Sequence, residues 1–257
     1  VNNYALNGFG VSGTSGEVSN CNVKSNYYLN TSIVNPGDMF FNDGTVFSPQ
    51  YDSSGNLIFP SGYNASNVVG VCFWGNTNND YKLGRFWVVS VDEVQLYWCP
   101  NGLTSGSGWN PVDISTLYNF NDSESALKDY EGKNNTNYIV TDPSFVYRSN
   151  GESDSLSTSN CAAKYSYEYR RNNGSEAVWF LPSIGQLREL EKELPIVNTV
   201  LSKLGRTQLS GWYWSSDEVS KQQAWAYYFP YTSNLPAYQN KKSNQKVRPM
   251  AIIYKSK

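Results

Sequence analysis

The chain has 257 residues, enough to bury a real core, and its 20 Lys and Arg against 22 Asp and Glu leave a net charge of −2. That balance gives no basic field for nucleic acid, and the absence of histidine excludes His-assisted nucleophiles, His general bases and His-containing metal sites. The excess lies in Tyr (20), Trp (8), Phe (11), Gly (20) and Asn (30), a composition closer to an all-β or α+β extracellular binder than to a cytosolic metabolic enzyme, where charged helices are commoner.

Residues 1–30 are polar and dotted with Gly and Ser, and predict a lead-in segment or a peripheral ribbon. With its start at Val1 rather than Met, the chain reads as a mature secreted or surface protein, its signal or lipid-anchor segment lying upstream of Val1. A single domain is expected over 31–257. Pro36-Gly37-Asp38 is a turn, and Met39–Phe41 and Thr45–Phe47 flank the turn signal Asn42-Asp43-Gly44 as a β-hairpin. Val68–Trp74 and Phe86–Val91 are β-branched and aromatic runs that predict buried strands. The stretch 92–158 reads as a long insertion of loops, with Gly-punctuated text at Asn101–Asn110 and a polar part, Asp113–Asn137, that shows no clear period.

Helices come later. Ser159 or Asn160 can cap a helix over Ala162–Arg171, stopped by Asn172-Asn173-Gly174. Ser183 with Gln186 forms a capping-box pattern, and Ile184, Leu187, Leu190 and Leu194 trace an apolar stripe. Pro195 breaks or restarts that helix, and Gly205 ends it. Trp212–Ser215, Ala224–Phe229 and Val247–Tyr254 then return to strand, so the fold class is α+β. Cysteines at 21, 72, 99 and 161 form no CxxC pair, which supports neither a zinc nor a redox motif, and Cys72 reads as a small buried hydrophobe. No apolar run reaches the roughly 18 residues needed to cross a bilayer.

A series of motifs carries a family likeness. Pro36-Gly-Asp-Met-Phe-Phe-Asn-Asp-Gly-Thr45, Val69-Gly-Val-Cys-Phe-Trp74, Trp179-Phe-Leu-Pro-Ser183, Tyr213-Trp-Ser-Ser216 and Val247-Arg-Pro249 stand in order, with Ala224-Trp225 and Phe229 between the last two. The series resembles the bacterial Fibrobacter major paralogous family over about residues 36–254. The resemblance implies a C-type-lectin-like fold, with two helices packed on a small twisted antiparallel sheet and long loops on one side. Phe86–Val91 would be its first core strand. Some relatives with that fold are variable proteins of diversity-generating retroelements, and the alternation of scaffold-like and Tyr-, Asn- or Ser-type positions between Gly211 and Arg248 is compatible with that.

Trp179, Trp214 and Trp225 are expected to fill the core. If Trp225, Tyr227 and Phe229 face inward, Ala226 and Tyr228 face out, and Trp212 is assigned to that outer side as well, opposite Trp214. The stretch Pro230–Lys246 is read as a loop in the Tyr/Ser/Asn vocabulary of adaptable binding surfaces. The candidate ligand contacts are therefore Trp212, Tyr228, Tyr231, Asn234, Tyr238 and Asn240. Arg248 is expected to pair with Asp217 or Glu218. Those two carboxylates are too few for a calcium cage, and the sugar-binding Glu-Pro-Asn and Trp-Asn-Asp signatures are missing, so no metal site or cofactor is expected. Asp92–Glu93 read as turn residues and Glu189 and Glu193 as a solvated helix face, so no catalytic residue is assigned. The function expected is non-catalytic binding of a surface glycan or protein at the cell surface or after secretion. The alternatives are a structural or adhesin-type envelope module that docks another protein and, behind it, a divergent carbohydrate-active enzyme.

Overall fold

The computed structural model describes residues 34–74, 85–98, 113–142, 161–169, 177–230 and 236–254. The expected lead-in, Cys21, Cys99, the loop at 101–110 and the stop at 172–174 lie outside them, as do Ser159 and Asn160.

The opening hairpin forms as expected, β1 (Met39–Phe41) pairing antiparallel with β2 (Val46–Phe47). A two-stranded ribbon, β3 (Gln50–Tyr51) with β4 (Leu57–Ile58), follows. The apolar runs become β5 (Val68–Phe73) and β6 (Arg85–Ser90). With β8 (Val178–Phe180) and β13 (Met250–Tyr254) they complete a six-stranded sheet in the order β2-β1-β5-β6-β13-β8. A second sheet has the order β11-β10-β9-β12-β7, where β7 is Val94–Leu96, β9 Gly211–Ser220, β10 Gln223–Phe229, β11 Ala237–Asn240 and β12 Gln245–Val247. Its pairs are antiparallel except β12 against β9, which meet in parallel at Lys246 and Tyr213.

The architecture is mixed α+β. Among the described residues there are five α-helices: α1 (Ser123–Ala126), α2 (Gly132–Thr141), α3 (Ala162–Glu168), α4 (Ile184–Lys192) and α5 (Leu194–Lys203). The capping box shows its reach-back bond, Ser183 N donating to Gln186 Oε1 at 2.9 Å, and Pro195 restarts the helix by standing in the first turn of α5. Two expectations need correction. The 92–158 region is not loops alone, since β7, α1 and α2 lie in it. The helix after residue 160 runs only to Glu168, with Cys161 at its N-cap.

The core sits in three layers. The main one joins α4 and α5 to one face of each sheet: Val71, Phe73, Trp87 and Met250 from the first, Tyr213, Trp225, Tyr227 and Phe229 from the second. The alternate residues of the first sheet, Val69, Cys72, Val88 and Ala251, pack outward against Trp179 and Tyr169. The opposite face of the second sheet holds Trp214, Ala224, Ala226 and Val247 against Trp98, Ile139 and Ala162. Both sheets are thus covered on both faces, and β5 is apolar at every position because neither parity meets water.

Candidate functional site

The six predicted contact residues do not form one surface. Trp212 and Tyr228 are cross-strand partners on β9 and β10, both half-buried, with rings 5.2 Å apart edge to face. Trp212 packs on the same cluster as Trp214, which corrects its assignment to the opposite side: residues two apart on a strand share a face. Ala226 is fully buried rather than outward in water, because α2 and α3 cover that face. Tyr238 lies across from Trp225, ring to ring at 5.8 Å, on the other side of the sheet, and is 54% exposed. Asn240 is two residues further along the same strand, and its Oδ1 accepts from Lys242 N at 3.0 Å, closing the turn after β11. Tyr231 and Asn234 lie outside the described residues. The expected loop Pro230–Lys246 is in part regular structure, β11, a turn and β12, because its alternating residues extend the sheet beside β10 and β9.

The carboxylates singled out in the sequence lead elsewhere. Arg248 is a buried structural ion pair, but its partner is Glu93: Nη2 to Oε2 is 3.0 Å, and the guanidinium also donates to the carbonyls of Ser90 and Thr207. Glu93 accepts in addition from the Tyr213 hydroxyl. Asp92 accepts from Tyr169 Oη at 2.7 Å and pairs with Arg206 at 3.2 Å. The two expected turn residues therefore join β9, α3 and the end of α5. Glu189, expected on a solvated face, is buried and bonded to Tyr130 Oη and Lys192 Nζ.

Asp217 and Glu218 form the wall of a cleft of about 490 Å³. Thr116 and Tyr118 line it from the segment before α1, and Glu131, Asn135 and Tyr138 from the start and body of α2. Asp129, on the turn between α1 and α2, completes the floor. The floor is tightly built. Asn135 Nδ2 reaches Asp129 Oδ2 at 2.7 Å and Asp217 Oδ1 at 3.3 Å, and Asp217 Oδ2 accepts from Ile184 N at 2.6 Å, at the start of α4. Gly132 and Gly185 permit this approach. A Cβ on Gly132 would lie 2.2 Å from Gln186 Oε1, and one on Gly185 would lie 2.2 Å from the Asp129 carbonyl.

Charge in the cleft is lower than its carboxyl count suggests. Burial pushes the Asp217 carboxyl well above the usual range, and its contact with Asp129 raises it further. Burial pushes Glu218 up to about 7, opposed by Lys241, which is itself fully buried and pairs with it under the ring of Trp98. Among the described residues, no group of three or more His, Cys, Asp or Glu is placed to hold a metal ion. The sequence signal for this cleft was the spacing of Asn134, Asn135 and Tyr138, which a helix brings to one side. It was lost in a segment with no apolar period.

No family model matches the chain, and no curated protein matches its sequence. A fimbrial protein from Bacteroides ovatus ATCC 8483, solved as a crystal structure, has a similar fold, with a TM-score of 0.54 and 19% identity over 86% of this chain. The chain spans about half of that protein, 49% of its length.

Proposed function

We propose that this chain is a non-catalytic module of the bacterial cell surface, of structural or adhesin type, that docks another envelope protein. The observation that carries this reading is the fold it shares with a fimbrial protein over most of its length. The half-buried Trp212–Tyr228 pair and the exposed Tyr238 at the sheet edge are the aromatic surfaces such a module would offer. The C-type-lectin-like arrangement belongs to the same proposal, supported by β6, its expected first core strand, pairing with the last strand β13. The test is made on intact cells of the native organism. Antibody against the chain should label unpermeabilised cells, and cross-linking should capture envelope proteins less well from a Tyr228→Ser, Tyr238→Ser chain. Recovery of the chain from the cytoplasm alone would remove this reading.

A further inference from the structure

The cleft beside Asp217 carries a more specific reading, starting from Tyr118. This side chain is 71% exposed, yet the segment that bears it is pinned on both sides. Ile114 N donates to the Glu218 carboxylate at 3.2 Å, Phe120 N donates to the Glu218 carbonyl at 3.2 Å, and Trp225 Nε1 donates to the Phe120 carbonyl at 3.0 Å. Behind the phenol, the Phe120 ring stands edge-on at 4.8 Å. An aromatic ring held open to water by a bonded frame forgoes the free energy of burial, about 25 cal/mol for each Å² left wet, unless something comes to cover it. Tyr138, 44% exposed on α2, is the second aromatic group of the cleft.

The polar lining narrows the ligand. Asp129 and Glu131 accept, Asn134 and Thr116 both donate and accept, and Asn135 has its amide N–H groups engaged on Asp129, Ser216 and Asp217. The Asp129 and Glu131 oxygens, though already bonded to Glu131 N, Asn135 Nδ2 and Asn134 Nδ2, have lone pairs to spare. A cation would find the Glu218 carboxylate already paired with Lys241, and the buried Asp217 already bonded to Ile184 N and Asn135 Nδ2. What remains is an alternation of donors and acceptors between aromatic faces, in a volume within the roughly 300–1,000 Å³ of small-ligand clefts. The geometry points to a neutral saccharide unit as the ligand of this cleft, its C–H face on Tyr118 and its hydroxyls on Asp129, Glu131 and Asn134. This goes beyond the proposed function, adding a saccharide site to a module that docks a protein elsewhere, and takes only its biological setting from that reading.

Saturation-transfer NMR and calorimetry on the isolated 257-residue chain test it, with glucose, galactose, mannose and N-acetylglucosamine at millimolar concentration, and a lysine-rich peptide as the rival ligand. At least one sugar should bind saturably, and Tyr118→Ala should weaken it by about tenfold or more at an unchanged urea midpoint, with Tyr228→Ser binding as the parent does. The inference is overturned if none of the four sugars binds. It is equally overturned if Tyr228→Ser, rather than Tyr118→Ala, abolishes binding, or if only the peptide occupies the cleft. Sugar binding by a chain confined to the cytoplasm would leave this inference standing and remove the surface reading. A surface-labelled chain that binds none of the sugars would do the reverse.

Discussion

Asp217 illustrates how one buried side chain contributes to the pH response of the molecule, alongside Asp38 and Glu218, which burial also raises. Its carboxyl is raised from the ordinary 3.8 first by desolvation and then by the bonded Asp129, while the Ile184 amide and Ser215 hydroxyl pull the other way. Because its folded pKa lies above its unfolded one, the folded chain binds more protons between the two values, and stability falls as pH rises through that window. The slope is at most about 1.4 kcal/mol per pH unit for one proton. Asp217→Asn keeps an acceptor for Ile184 N and a donor toward Asp129, without the titration, and gives up the 3.3 Å bond from Asn135 Nδ2. Urea midpoints of the D217N chain should therefore be at or slightly below the parent's near pH 4 and above them near pH 8. A variant weaker than the parent at pH 8 but not at pH 4 would mean that the ionised carboxylate stabilises this site.

At the scale of elements, the second sheet makes a sharper statement about its tryptophans. Trp214 and Trp225 are both buried but on opposite faces, in different core clusters, with indole N–H groups bonded to the Leu96 and Phe120 carbonyls. Either change to Ala should cost about 3–5 kcal/mol, and Trp212→Ala less than about 2 kcal/mol, because Trp212 is only half-buried. Denaturant midpoints ranking Trp212 as the most damaging would contradict the burial described here. The same elements show what could be read from the sequence. β5, β6 and the pair α4–α5 were legible because fully buried strands are unbroken apolar runs and the helices carry a stripe, a cap and a proline at the restart. α2 was not, since its text, Gly-Lys-Asn-Asn-Thr-Asn-Tyr-Ile-Val-Thr, is poor in helix formers and is held by packing on α3 and β9. Part of the site was hidden with it. Asp217 and Glu218 were noticed, but the residues that face them come from α2 and the turn before it, and no local pattern announces a contact across some eighty positions of sequence.

Over the whole molecule, three stacked core layers lock two sheets together, and the cleft lies where α2, the 114–120 segment and β9 converge. The order of strands in the first sheet has a bearing on biosynthesis. β13, the last strand described, lies between β6 and β8, pairing Met250 with Val89 on one side and with Phe180 on the other. Until residue 254 has left the ribosome, β6 lacks one neighbour and β8 has no strand partner among the described residues, so the main core stays open to water on that side. Chains stalled on the ribosome with only residues up to 245 emerged should be cut by protease like unfolded polypeptide, and those with residue 254 emerged should resist. Protection already at 245 would show that the first sheet closes without its sixth strand. The arrival of β13, the strand that bridges β6 to β8, is thus the step that times the closing of the first sheet.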